Sequence, residues 1–180
     1  MDLDALFDMA RTAESEGDYE KAVSSYSAAA DRGHAGSQCA LAELYMSGRG
    51  VEKDHVRGRM LFQAAAELGS AEALYGLGVI YWGGYGVERN EKRAIEYLGV
   101  AADKGIVAAA AELGMMHYFS ERKDSGSALR RFVQAAEAGD VTSMYMAGVM
   151  YEEGDGTPAD TAEAEKWFAL AADMGVPEAK

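Results

Sequence analysis

The sequence predicts an all-α fold of helix pairs in tandem, and three observations carry that prediction. Composition is the first: two prolines, abundant Ala and Leu, and no runs of alternating Val or Ile favour helices over strands. The second is self-similarity. Residues 71–106, "AEALYGLGVIYWGGYGVERNEKRAIEYLGVAADKGI", overlie residues 35–70 without a gap, so that Leu77, Tyr81, Gly84, Gly86, Val87, Ala101, Ala102 and Gly105 meet identical residues 36 positions earlier. A further copy, 141–176, keeps Gly148, Tyr151, Gly154, Gly156, Ala171, Ala172 and Gly175 in the same slots. The third observation is that helix start and stop signals fall at matching places in every copy.

Taken in order, the units are 1–34, 35–70, 71–106, 107–140 and 141–176, read as one repeat domain over 1–180. The first is a shorter form, and the fourth has 34 residues. Leu113, Gly114, Ala135, Ala136 and Gly139 keep their places in that fourth copy, but its linker, "SERKDSGS", has lost both loop glycines. Asp18, Asp54, Asn90, Asp124 and Asp160 each precede a small residue (Ala22, Gly58, Ala94, Ala128, Ala164) by four positions. A side-chain oxygen there accepts from an orphan N–H of the helix that follows, so these are N-caps of the second helices. Each second helix then carries Tyr26, Phe62, Leu98, Phe132 or Phe168 and ends at a glycine, at 33, 69, 105, 139 or 175. Helix content of roughly 60% or more follows. At the end, "PEAK" at 177–180 runs over the slots of Ala71, Glu72, Ala73 and Leu74, and the sequence stops there. With Trp167, Phe168 and Leu170 on the last complete helix, this predicts either a truncated chain or self-association through residues 161–175, because repeat arrays carry polar caps.

The recurring positions Leu77, Gly78, Tyr81, Gly84, Gly86, Val87, Ala94, Ala101, Ala102 and Gly105 resemble the Sel1-like repeat, a relative of the tetratricopeptide repeat. The resemblance covers essentially the whole chain. Its first unit, through Leu6, Met9, Ala10, Gly17, Ala22, Tyr26 and Ala29, is closer to a plain tetratricopeptide repeat. What the resemblance implies is an α/α superhelix, a right-handed solenoid of stacked antiparallel pairs whose first helices line a concave groove, and scaffold or adaptor work rather than catalysis. The cysteine pair that bridges the helices of cysteine-rich members is absent here.

Charge and composition narrow the function further. At 180 residues and 49% hydrophobic composition the chain can bury a core. Its 30 acidic against 17 basic residues give a net charge of -13, which repels phosphate backbones and anionic headgroups, so neither nucleic acid nor a membrane is an expected partner. The single cysteine, Cys39, forms no internal disulfide, the N-terminus lacks a signal-peptide pattern, and no segment reaches the roughly 18 apolar residues of a membrane span. A cytoplasmic protein is expected.

Catalytic patterns fail on inspection. His34, His55 and His117 occupy different slots of their repeats and do not converge as metal ligands, and His117 replaces a packing Tyr. "GRG", "GYG" and "GDG" sit between helices and continue into no phosphate-binding motif. "SERK" at 120–123 fits Ser-x-x-Lys but lacks the partner motifs that chemistry needs. Cys39 has no His at relay distance by register and reads as a small helix-lining residue. No carboxylate pair stands out as acid and base. No cofactor and no metal are expected, and a hydrolase is the least favoured alternative.

Binding residues emerge from the first helices instead. Leu74, Leu77, Gly78 and Tyr81 form the i, i+3, i+4, i+7 stripe that packs inside. Tyr75, Val79 and Trp82 form a second stripe, whose counterparts are Phe7, Arg11 and Glu14; Cys39, Glu43 and Met46; Ala111, Met115 and Tyr118; and Tyr145, Val149 and Glu152. By resemblance this stripe faces the groove, aromatic and apolar in the middle and acidic at its ends; the alternative is that Trp82 and Tyr118 pack against each other between adjacent first helices. Tyr75, Trp82, Met115 and Tyr118 are expected to anchor a partner protein or peptide, with Glu43, Glu72 and Glu152 selecting its basic side chains. A bacterial immunity protein neutralising a basic toxin is the alternative, since some bacterial members of the resembled family do this and the charge would complement such a toxin.

Overall fold

The computed structural model describes residues 2–121 and 123–175, and among them there are ten helices in five pairs. The pairs are α1 (Leu3–Ser15) with α2 (Tyr19–Ala30), α3 (Ala35–Ser47) with α4 (His55–Glu67), α5 (Ala71–Gly83) with α6 (Glu91–Asp103), α7 (Val107–Phe119) with α8 (Ser125–Glu137), and α9 (Val141–Glu153) with α10 (Thr161–Asp173). The expected caps are in place. Asp18, Asp54, Asn90, Asp124 and Asp160 each accept from a backbone N–H in the first turn of the following helix, at 3.0 to 3.1 Å. The "PEAK" stretch and Val176 lie outside the described residues.

The chain divides into two compact units, residues 1–100 and 101–180, with the boundary inside α6. In the first unit α1 packs on α2 and α3 on α4, while α2 and α4 also pack on the first helices of the repeats that follow, α3 and α5. One core joins Ala10, Ala13, Ala22, Tyr26, Leu41 and Leu44, and a second joins Cys39, Ala42, Phe62, Ala65, Ala73, Leu77 and Ile80. In the second unit α7 packs on α8, α8 on α9, and α9 on α10 around Phe132, Met144, Met150 and Trp167. Alanines at these seams are fully buried, because small side chains bring helix backbones close enough for the large ones to interdigitate. In the third and fifth repeats a first-helix glycine admits a large side chain of the second helix. A Cβ at Gly78 would lie 2.6 Å from Leu98 Cγ, and at Gly148 it would lie 2.6 Å from Phe168 Cε1.

The linkers of three repeats close in the same way. Asp54 N–H donates to Tyr45 O at 3.0 Å, Asn90 to Tyr81 O at 2.8 Å and Asp160 to Tyr151 O at 2.9 Å. Each linker then reaches back to the preceding second helix. A Cβ at Gly86 would meet the His55 Cβ at 2.7 Å, one at Gly50 would meet the Tyr19 Cβ at 2.5 Å, and Gly156 abuts the backbone of Ser125. The shortened linker of the fourth repeat keeps the closing bond, Asp124 N–H to His117 O at 3.1 Å, and its sequence lacks the two loop glycines of the longer linkers.

Helix α10 departs from expectation. Trp167 is buried and Phe168 half-buried in the core that α10 shares with α8 and α9, so two of the three apolar residues that suggested an uncovered last helix are covered within the array. Leu170 remains exposed, together with Met174. Among the described residues no helix is long and apolar enough to cross a membrane.

Candidate functional site

The second stripe of the first helices is positioned by the stripe beside it. Ala73, Leu77, Gly78, Ile80 and Tyr81 are buried, which turns Tyr75, Val79 and Trp82 toward the rim of the packing. Tyr75 and Val79 are half-buried, and Trp82 is 38% exposed. The Arg89 guanidinium, returning from the linker, lies 4.4 Å from the Trp82 ring centroid. A cation held over an indole face at this distance gains electrostatic attraction and screens one face of the ring.

Elsewhere in the first unit the stripe is mixed. Phe7 is half-buried, 5.7 Å from the Tyr26 ring and edge-on to His34 at 5.0 Å, with Arg11 exposed 5.9 Å over its face. Met46 is half-buried in the contact with Gly58 and belongs to the packing of α3 on α4. Glu43 retains exposed surface yet is surrounded by protein, and this desolvation raises its carboxyl above the usual range; the Glu14 charge raises it further and Arg49 opposes. Glu14 itself accepts from Tyr26 Oη at 3.0 Å and pairs with Arg49 at 3.6 Å. Burial, then that bond, pushes the Tyr26 hydroxyl upward, so it stays a donor. Glu72 is exposed and accepts from the capping Ser70 Oγ at 3.0 Å.

Cys39 is a correction. It is 8% exposed, packed in the core shared by α3, α4 and α5, and its Sγ is 3.4 Å from Ser70 Oγ, so it offers a partner almost no surface. Burial raises its thiol above the ordinary value, with the Glu72 and Glu43 charges adding and the Ser70 bond opposing, which keeps it protonated at neutral pH and unsuited to nucleophilic attack. Among the described residues no group of three His, Cys, Asp or Glu side chains is placed to hold a metal ion.

In the second unit Met115 is 39% exposed, Tyr118, Tyr145 and Val149 are half-buried, and Glu152 is exposed. Tyr145 lies 5.7 Å from the Phe168 ring, so part of its surface is spent on α10. Tyr118 is held from three sides: edge-on to Phe132 at 6.4 Å, edge-on to Phe119 at 4.9 Å, and under Lys123 Nζ at 4.2 Å. Lys123 is fixed in turn by an ion pair with Asp155.

Two residues escaped the sequence reading. Arg89 sits in a linker whose return path no periodicity reveals. Phe119 is 68% exposed and was legible, since it is an aromatic in the slot filled by Ser47, Gly83 and Glu153 in the other long copies.

The comparisons bear on the whole chain. The Sel1 repeat profile matches residues 4–34, 35–70, 71–106, 107–140 and 141–176. Among solved structures, the chain is similar to a Sel1 repeat protein from Oxalobacter formigenes, with 31% identity over 89% of this chain and 47% of that one and a TM-score of 0.80. It is also similar to a protective antigen present in uropathogenic Escherichia coli strains and displaying an SLR fold, with 29% identity over 98% of this chain and 39% of the other and a TM-score of 0.91. An immunity protein from Pseudomonas aeruginosa is 26% identical over 98% of this chain and 67% of its own length, with a TM-score of 0.63. The chain therefore spans less than half the length of the first two. No curated protein sequence matches it. Five contiguous repeat matches from residue 4 to residue 176, on five helix pairs that carry the repeat's caps, glycines and buried alanines, place the chain in the Sel1 repeat family.

Proposed function

We propose that this chain is a protein-binding scaffold which holds a segment of a partner against the second stripe of its first helices and performs no chemistry of its own. The observation that carries the reading is Trp82: a tryptophan 38% exposed, where Met46 and Tyr118 of other copies are half-buried, and presented with a cation on its face. Large amphipathic side chains in such slots contribute contact area at little entropic cost, which is why they dominate binding energies. The carboxylates of Glu43, Glu72 and Glu152, all with exposed surface, favour a partner segment with basic side chains.

Pull-down from the native host with wild-type chain, Trp82→Ala and Tyr118→Ala as baits, read by mass spectrometry, tests it. A partner captured by the wild type and lost by both folded variants supports the reading, and capture that ignores both variants overturns it.

A more specific version is an immunity protein that neutralises a basic toxin. The likeness to the Pseudomonas aeruginosa immunity protein and the charge of -13 favour it. The arrangement of neighbouring genes and a co-expression rescue assay test that version; a neighbourhood with no toxin gene removes its basis.

A further inference from the structure

Phe119 is the most exposed of the large apolar side chains described, at 68%, and it stands one helical turn after Met115, at 39%. Residues four apart lie on one face of a helix, so the pair makes an apolar ridge on α7. The ridge has a fixed support. Phe119 rests edge-on against Tyr118, and Tyr118 is clamped between Phe132 of the core and Lys123, which is anchored to Asp155. A side chain that is already held loses less freedom on binding, so more of its contact energy appears as affinity.

Acidic side chains of α9 and its C-terminal linker lie on the Lys123 side of the ridge. The Lys123 ammonium is committed to Asp155, and the hydrogen bond between them raises the ammonium and lowers the carboxyl from their ordinary values. Glu153 and Glu152 end α9, two and three residues before the Asp155 that holds Lys123. Both glutamates are exposed and neither forms an ion pair among the described residues. An apolar ridge near exposed carboxylates complements a side chain of the same class flanked by cations.

We propose that Met115, Tyr118 and Phe119 form a docking surface for an amphipathic cationic segment of another protein, whose aliphatic or aromatic residue packs on Phe119 while flanking Lys or Arg side chains meet Glu152 and Glu153. The proposal rests on the scaffold reading above and moves the principal anchor of the second unit from Tyr118 to Phe119. Tyr118 becomes the support of the anchor.

Titration calorimetry with two synthetic peptides tests it, one an amphipathic Leu and Lys sequence, the other the same sequence with every Lys replaced by Glu. The Leu–Lys peptide is expected to bind the wild type, and to bind Phe119→Ala and the double variant Glu152→Gln, Glu153→Gln at least tenfold more weakly, while the Leu–Glu peptide does not bind. Melting temperatures of the variants close to wild type confirm that the fold is intact. Equal affinity of Phe119→Ala and wild type for the Leu–Lys peptide, equal binding of the Leu–Glu peptide, or no binding of the Leu–Lys peptide overturns the proposal. Trp82→Ala separates this from the reading beneath it. If the partner captured from the host is lost by Trp82→Ala but kept by Phe119→Ala, the scaffold reading stands and the Phe119 surface falls; if both variants keep it, both fall.

Discussion

Trp82 and Glu43 show how single positions depart from what folding alone selects. Trp82 is 38% exposed with Arg89 over its face, so truncation removes little buried contact. Trp82→Ala is expected to cost under about 1 kcal/mol of stability, against the roughly 3 to 5 kcal/mol of a buried aromatic truncation. Its effect on partner binding is expected to be about 2 kcal/mol or more. Chemical denaturation and titration on the same variant measure both, and a large stability loss with unchanged binding would reverse the assignment. Glu43 works in the opposite sense to most carboxylates. Its pKa is raised in the folded state, so it favours folding when protonated, and that contribution is lost as pH rises through the folded value. Glu43→Gln is therefore expected to raise the melting temperature at pH 7 and to make little difference below the ordinary carboxylate range. A lower melting temperature at pH 7 would contradict this.

At the scale of elements, the linkers decide how repeats hold together. Gly69 and Gly86 both have positive φ, +90° and +65°, but a Cβ at Gly69 meets nothing within 4 Å whereas at Gly86 it meets the backbone of His55 at 3.2 Å. Gly69→Ala is expected to cost about 1 kcal/mol, for the left-handed backbone alone. Gly86→Ala adds a clash with main chain that cannot rotate away, and is expected to cost about 1 to 3 kcal/mol more. Similar denaturation midpoints for the two variants would show that the linker does not lean on the helix. The linker of the fourth repeat has no such glycine, and amide exchange at residues 117–121 and 123–127 is expected to be faster than at 81–91. Equal protection would remove that distinction. Asp155 supplies a partial substitute through Lys123. Its folded pKa is lowered, so the stabilisation is complete above the ordinary Asp value of about 3.9 and disappears as pH falls through the lower folded value. Asp155→Asn should lower the melting temperature at pH 7 and converge with wild type at strongly acid pH; a constant difference at all pH values would mean the ion pair is not its source.

For the molecule as a whole, the net charge of -13 is the dominant long-range property. It disfavours anionic polymers and accelerates encounter with a basic partner. Raising ionic strength from about 0.05 to 0.5 M shortens the screening length several-fold, so the association rate with the captured partner should fall by about tenfold while dissociation changes little. Salt-independent association would place the recognition in apolar contacts alone.

The sequence by itself determined the repeat count, the positions of the caps and the recurring packing slots such as Leu77 and Phe132, though Leu74 of the expected stripe is half-buried whereas Ala73 and Ile80 are buried. These are local properties: a side chain at Asp54 or Asn90 bonds its own helix, and a buried slot such as Leu77 or Phe132 recurs at each copy because each copy must fill the same space. Register also made Trp82 visible as a residue out of pattern. Only tertiary structure decided which variable slots keep free surface. Cys39 shares a stripe with Tyr75 yet is closed off by α4 and α5, Trp167 joins the core shared with α9, and Arg89 folds back from its linker onto Trp82. Those outcomes depend on how a neighbouring helix or a returning loop covers a face, and periodicity along one helix carries no information about what lies across from it.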